Sequence, residues 1–304
     1  MLTIRQRIKV NWQLYLFLLL PAAYIVIFAY IPMLGAQIAF RRYSARLGIW
    51  GSPWVGFDHF LRFFQSYQLR RILPNTIRLS LYGLIAGFPI PIIFALLLNV
   101  MKNGKTKKII QTVTYMPHFI SVVVLVGMVY RLLSPVNGLY AHIIRLFNLR
   151  NVDLLAQPSI FPHLYVWSGV WQNFGWSSII YLAALAGVNS ELHEAAEIDG
   201  ANRFQRVIHI DFPAILPTAT ILLILSSGSI LSVGFEKIYL MQNAMNLRVS
   251  EVISTYVYKI GLGSGGLSDF SYAAAIGLFN SVVSLIMIAS VNVLARKLSE
   301  TSLW

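Results

Sequence analysis

The chain of 304 residues contains no cysteine. Disulfides, thiolate metal sites and c-type haem attachment are thereby excluded, and nothing follows about compartment. Charge is scarce too. Asp, Glu, Lys and Arg make up 12% of the residues, against about a quarter in a soluble globular domain. Acidic residues are fewest, 11 against 24 Lys and Arg, for a net charge of +13. The apolar runs also lack the alternating polar positions that line a β-barrel lumen, which argues against that architecture.

What the sequence does have is apolar surface: 57% hydrophobic residues, 13% aromatic, and a mean hydropathy of +0.66. Stretches free of Asp, Glu, Lys and Arg cover residues 10–40, 79–101, 109–130, 154–190, 212–235 and 270–295. Each exceeds the roughly 20 residues that carry a helix across hydrocarbon. The pattern predicts an all-α membrane protein with six transmembrane helices. The first stretch fits a cleavable signal peptide poorly, because it is too long, Pro21 and Pro32 break it, and no small-residue cleavage site follows. The prolines at 89, 91, 117, 213 and 217 are expected to kink helices whose freed backbone groups are covered by neighbours or cavities. Gly83, Gly87, Gly127, Gly169 and Gly187 are expected at close helix contacts.

Six spans place both termini on one side. Arg5, Arg7 and Lys9, the four lysines of "MKNGKTKK" at 101–108, and Arg296 with Lys297 all fall on that side, which the positive-inside rule makes cytoplasmic. The outer stretch 41–75 runs against this with six arginines, Arg41 and Arg42 among them. Long loops weigh less in the rule. Positive residues are scattered over both faces, a distribution that anionic headgroups and topology explain without nucleic acid, with a bias toward acidic substrates left open as a minor share of the explanation.

Five of the 11 acidic residues lie between Glu191 and Asp211. There Asn189 or Ser190 can cap a helix beginning at Glu191, with Glu194 and Glu197 near its positive end. Gly200 permits a sharp turn. "ANRFQRVIHI" then continues as an amphipathic piece that Pro213 is expected to end. The result is a helix, turn, helix elbow at the cytoplasmic face, between spans four and five.

The same residues resemble a motif of the permease subunits of binding-protein-dependent ATP-binding-cassette importers: Glu-Ala-Ala, three residues, Gly, nine residues, then Ile-x-Leu-Pro. Here Glu194-Ala195-Ala196 is followed at those offsets by Gly200 and by Ile210-Asp211-Phe212-Pro213, with Phe212 in place of Leu. "EAAEIDGA", which includes Asp199, is similar to the carbohydrate importers of the maltose type. "GIWGSPWVGFDHFLRFF" resembles the external segment of sugar permeases, and "QTVTYMPHFIS" the branch that imports oligosaccharides released from complex polysaccharides.

The resemblance implies a type I importer permease in a bacterial cytoplasmic membrane, one transmembrane domain over 1–304 with a first span and outer loop at 1–75 and a five-helix core at about 76–296. It implies that Glu194, Ala195, Ala196, Asp199, Gly200, Ile210 and Pro213 dock an ATP-binding subunit, Glu194 pairing with a basic residue there. The implied partners are a second permease chain, two ATP-binding subunits that carry ATP and Mg, an extracytoplasmic solute-binding protein, and an oligosaccharide cargo. No cofactor is expected on this chain. "GKT" at 104–106 is similar to a phosphate loop, but that motif needs a Gly where Asn99 stands. "SGGLS" at 264–268 has only a superficial similarity to an ATPase signature, in an external loop.

A sugar path needs polar groups at membrane depth. "VWSGVWQNFGWSSIIY" in span four supplies Trp167, Trp171, Gln172, Asn173, Trp176 and Tyr181, and "LSSGSILS" in span five supplies Ser226, Ser227, Ser229 and Ser232. Amides, hydroxyls and aromatic faces suit a sugar. Trp also marks interface belts and Ser packs helices, so both readings stand. Asn173 and Trp176 resemble positions on the sugar-contacting helix of the maltose-type family. His118, beside Pro117, reads as a cavity residue or, the favoured reading, a packed helix position. An importer of the same class for a non-carbohydrate solute is the alternative. An ion-coupled secondary transporter would want intramembrane carboxylates, which the six stretches lack. An enzyme would need a catalytic constellation, which His118, His163 and scattered serines do not form.

Overall fold

The computed structural model describes residues 10–101, 104–231, 233–263 and 268–298. Arg5, Arg7, Lys9, Lys102, Ser232 and most of "SGGLS" lie outside the described residues. Among those described there is no strand, only two isolated bridges in the 41–54 loop. The all-α expectation therefore holds.

Contacts divide the chain into two compact units, one formed by the residues up to Gln65 with Val257–Phe279, the other by Ser66–Tyr256 with the chain from Asn280. The first unit begins with α1 (Trp12–Ile25), which runs on through a π-helical turn at Val26–Tyr30 and a 3-10 stretch to Phe40. Pro21 and Pro32 do not break it, contrary to the sequence expectation. The wider turn at 26–30 lies just ahead of Pro32, where the proline lacks an N–H and crowds the preceding turn.

Beyond it, Phe40 stacks on Trp54 at 5.5 Å and meets Phe57 edge-on at 5.4 Å. Arg41 donates to the carbonyls of Trp50 and Ser52 and lies over Trp54. On α2 (Asp58–Gln65), Arg62 pairs with Asp269 at 2.7 Å and lies 4.2 Å from the Tyr272 ring centroid. Arg41 and Arg62 are thus committed to loop carbonyls, a carboxylate and aromatic faces, a structural role for basic residues in the 41–75 stretch.

The second unit holds α3 (Leu69–Gly87) and α4 (Pro89–Val100), continuous over 32 residues, then α5 (Gly104–Tyr115), α6 (Val122–Leu133) and α7 (Leu139–Leu146). They are followed by α8 (Phe161–Ala186), α9 (Ser190–Ile198), α10 (Arg203–Arg206), α11 (Phe212–Gly228) and α12 (Phe235–Met241). α13 (Ile253–Leu262) and α14 (Phe270–Leu298) complete the chain.

Four stretches are long and apolar enough to cross a membrane: Trp12–Phe40, Leu69–Val100, Arg203–Gly228 and Phe270–Lys297. A fifth is obtained if the stretch Gly104–Phe119 and helix α6, bent by 101° at the Pro117 turn, count as one span. The 109–130 stretch is thus a sharply broken helix. α8 has 26 residues, about 39 Å at 1.5 Å per residue, but its Gln, Asn, Ser and Trp dilute its hydropathy.

α8 is the central element of this unit. Its first turn, Phe161, packs with Leu79, Val126, Ile238 and Met241, and its last turns, Tyr181 and Leu185, pack with Ile92, Ala95, Ile215 and Ala219. A side chain at Gly175 would collide with the Thr114 backbone, and one at Gly228 with Ile288. These are the close helix contacts. Gly83 and Gly127 have open space within this chain instead, against expectation.

The Pro213 expectation also needs correction. The chain runs helically from Arg203 to Gly228 without a stop, because a π-helical turn at Val207–Asp211 widens the backbone ahead of Pro213, which stands in the first turn of α11.

Candidate functional site

Two arrangements stand out, an exposed helix-turn-helix and a pair of cavities along α8. The first is built almost entirely from near neighbours. Asn189 caps α9 by accepting from the Glu191 N–H at 3.0 Å. α9 ends before Gly200, whose φ of +79° is a left-handed conformation that a side chain would strain. α10 opens with a capping box, Asn202 and Gln205 each accepting the other's backbone N–H. Arg206 joins the two limbs through Glu197 at 2.8 Å.

This framework holds its side chains out to solvent. Glu194, Ala195, Asp199 and Pro213 are exposed, and Ala196 and Ile210 partly so. Ile198 and Phe204 are 87% and 72% exposed. Ala196, Asp199, Gly200 and Ile210 line one shallow groove of about 300 Å³, together with Arg206 and His209. An apolar, alanine-rich surface edged by carboxylates and open beside a glycine is the chemistry of a close protein contact.

Asp211 behaves differently from the other four acids of the cluster. It is 2% exposed, accepts from Asn99 Nδ2 at 3.2 Å, and lies 3.3 Å from His193 Nε2. It therefore ties α9 to the end of α4 instead of facing a partner. Asn99 had drawn attention only as the residue that spoils a phosphate loop.

The cavities flank the α8 face that carries Asn173 and Trp176. One, of about 740 Å³, is lined by Trp176, Tyr181, Leu222 and Ser226 among others. The second, of about 470 Å³, includes Gln172, Asn173, Tyr165, Glu236 and Lys237. Gly83, Gly87, Pro91 and Ser177 border both, so Gly83 keeps open a wall shared by the two. Asn173 donates to the Gly169 carbonyl at 3.0 Å and accepts from His118 Nδ1 at 2.9 Å. His118 stacks on Trp176 with ring centroids 4.6 Å apart and planes 3° from parallel. These three residues form one cluster, and His118, read from sequence as a packing position, belongs to it.

Other sequence-named residues have structural partners. The Gln172 amide donates to the Ile120 carbonyl at 2.8 Å. The Trp167 indole donates to the Tyr82 hydroxyl, which also meets His163. Ser227 is buried and bonds the Ile224 carbonyl within its own helix, and Ser229 caps α11. Neither lines the two cavities, whereas Ser226 does.

Lys237 was missed. It is 8% exposed, donates to the Tyr165 carbonyl at 2.7 Å and sits 5.0 Å from that ring's centroid. Burial lowers its pKa to about 8. Its position just past the charge-free stretch 212–235 was the available signal.

Residues 69–300 match the family of binding-protein-dependent transport system inner membrane components. The chain is 42% identical over 297 residues to protein LplB of Bacillus subtilis (strain 168), covering 98% of this chain and 92% of that one. It is 42% identical over 302 residues to the polygalacturonan/rhamnogalacturonan transport system permease protein YteP of the same organism, covering 99% and 93%. Its fold is similar to the crystal structure of a bacterial alginate ABC transporter in complex with alginate pentasaccharide-bound periplasmic protein. There the TM-score is 0.90 at 39% identity, with 99% of each chain covered.

Proposed function

Because the chain belongs to the binding-protein-dependent transport system inner membrane components, we propose that it is the oligosaccharide-conducting permease of an ATP-driven importer, coupled to its motor through the Glu194–Pro213 elbow. The observation that carries the reading is the elbow itself. The motif residues stand at the family's offsets, on a self-capped helix-turn-helix that exposes them. The relatives' cargoes, polygalacturonan or rhamnogalacturonan in one case and alginate in another, support a sugar.

In this reading the chain crosses the membrane six times, with α8 as the fourth span and the bent pair as the third, and both termini face the cytoplasm. Residues 1–304 form one transmembrane domain, whose first span and outer loop precede a five-helix core. A second permease completes the pathway. Two ATP-binding subunits, which hydrolyse ATP and hold its Mg, seat the elbows, and a solute-binding protein delivers cargo from outside. Glu194 meets a basic residue of the ATP-binding subunit, while Ala195, Ala196 and Gly200 allow close approach, with Asp199, Ile210 and Pro213 completing the contact. As the ATP-binding subunits close, the elbows draw together and the cavity turns outward. Hydrolysis returns it inward.

Asn173 offers its amide to a sugar hydroxyl and Trp176 its indole face to a ring. Gln172 and Ser226 line the path beside them, and Ser227 and Ser229 shape the end of α11.

The test is reconstitution with the partner subunits and a panel of labelled oligosaccharides. ATP-dependent uptake of a subset is expected, with the ATP-binding subunit co-purifying. Uptake that persists without the ATP-binding subunit and follows an ion gradient would refute the reading. The absence of cysteine makes topology separately testable: a single Cys at Lys105 or Asn202 should resist impermeant thiol reagents in intact cells, whereas one at Gly51 should react.

A further inference from the structure

A buried ammonium is costly unless its hydrogens are used. Lys237 has three N–H donors, and among the described residues only the Tyr165 carbonyl accepts from it. No carboxylate among the described residues pairs with it, although Glu236, exposed beside it in sequence, borders the same cavity. The ammonium lies close against α8: a side chain at Gly169 would begin 3.0 Å from Nζ. The cation thus lines a cavity of about 470 Å³ that Asn173 also lines, with one hydrogen bond and the Tyr165 ring as its contacts among the described residues.

We infer that Lys237 is the carboxylate-recognising residue of the translocation cavity and that the cargo is an acidic oligosaccharide built from uronate units. The inference rests on the sugar-path reading above. A carboxylate accepts from the two free N–H groups and supplies the opposite charge that burial requires. A neutral sugar offers hydroxyls, which bond an ammonium less strongly and leave its charge uncompensated. Gly169 lets the Lys237 head sit close against α8, so a side chain there would crowd the charge without changing it.

The solute-binding protein applies its own selection before cargo reaches the cavity, so the test bypasses it. Ser177 is exposed and borders both cavities, and the chain has no cysteine of its own. In the purified assembly of both permeases and the ATP-binding subunits, Ser177→Cys is alkylated and the modified peptide is followed by mass spectrometry. Protection is titrated with trisaccharides of galacturonate, mannuronate and guluronate, and with the same sugars after reduction of their carboxylates to alcohols.

With Lys237 present, at least one acidic sugar should protect at a concentration about tenfold lower than its reduced form. Lys237→Gln should abolish the difference and Lys237→Arg should keep most of it. Gly169→Ala should weaken the acidic preference with charge unchanged. Equal protection by acidic and reduced sugars, or discrimination that survives Lys237→Gln, overturns the role of Lys237 and leaves the importer reading standing. Dissociation of the Lys237→Gln assembly with unchanged discrimination in Gly169→Ala would assign Lys237 to packing. Protection by no sugar, acidic or neutral, would overturn the sugar path itself.

Discussion

The elbow and the cavity wall are both polar features of a greasy chain, and they are held in place by opposite means. The elbow's bonds join residues two, three and nine positions apart: Asn189 with Glu191, Asn202 with Gln205, Arg206 with Glu197. The cavity's bonds between elements join residues 52, 55 and 72 apart: Gln172 with Ile120, His118 with Asn173, Lys237 with Tyr165. A locally bonded surface keeps its shape when distant helices shift, which suits the docking role proposed for the elbow. A wall assembled from distant helices changes whenever those helices shift, which suits a path that opens and closes. Asp211 is where the two meet, since it accepts from Asn99 of α4 and lies 3.3 Å from His193 Nε2 of α9.

Substitutions can separate the two regions, beginning with the most damaging. Glu194→Lys and Gly200→Trp should leave membrane insertion intact and abolish uptake. An uncompensated charge in a protein contact costs about 3–5 kcal/mol, and the Trp adds bulk and strain at a left-handed position. Normal uptake at normal expression would break the assignment of the elbow.

Asp211→Leu should come next, leaving Asn99 without its acceptor and His193 without the neighbouring carboxylate, at a cost of about 1–3 kcal/mol. The expected signature is a lower thermal midpoint of the purified assembly together with weakened coupling, so that ATP is hydrolysed with less sugar moved. Asp211→Asn, which keeps an acceptor oxygen, should do less.

Asn173→Leu and Trp176→Ala should raise the half-saturation for uptake by roughly tenfold without loosening the ATP-binding subunit, because neither touches the elbow. A binding role changes the ranking of sugars, whereas a packing role lowers all of them together along with expression. Ser226→Val should have a smaller effect, since water can replace its hydroxyl in a wet cavity. Ser227→Ala should leave uptake unchanged, because that hydroxyl bonds its own helix.

The same contrast governs what could be read without coordinates. The cap at Asn189, the turn at Gly200 and the motif offsets are properties of neighbouring residues, so the sequence states them directly. That Asn173 and Trp176 share a helix face was also legible. Their joining to His118 was not, because the Pro117 turn brings it in from another helix. Lys237 escaped for the same reason: its meaning comes from Tyr165 and Gly169 of α8. The prolines misled where π-helical turns absorb them, at 26–30 and 207–211. Glycine was misread at Gly83, which borders open cavity space, and overlooked at Gly175 and Gly228, which touch neighbouring helices.

The central claim is that the elbow is the cytoplasmic seat of a separate ATP-binding subunit, and accessibility of one residue tests it most directly. Ala195 is exposed at the middle of the motif and the chain has no competing cysteine. A single Cys at Ala195 should be untouched by an impermeant thiol reagent in intact cells. It should react in inverted vesicles holding the permeases alone, and be protected when the ATP-binding subunits are bound. Labelling from the outside of intact cells, or labelling in inverted vesicles that the ATP-binding subunits leave unchanged, would contradict the account.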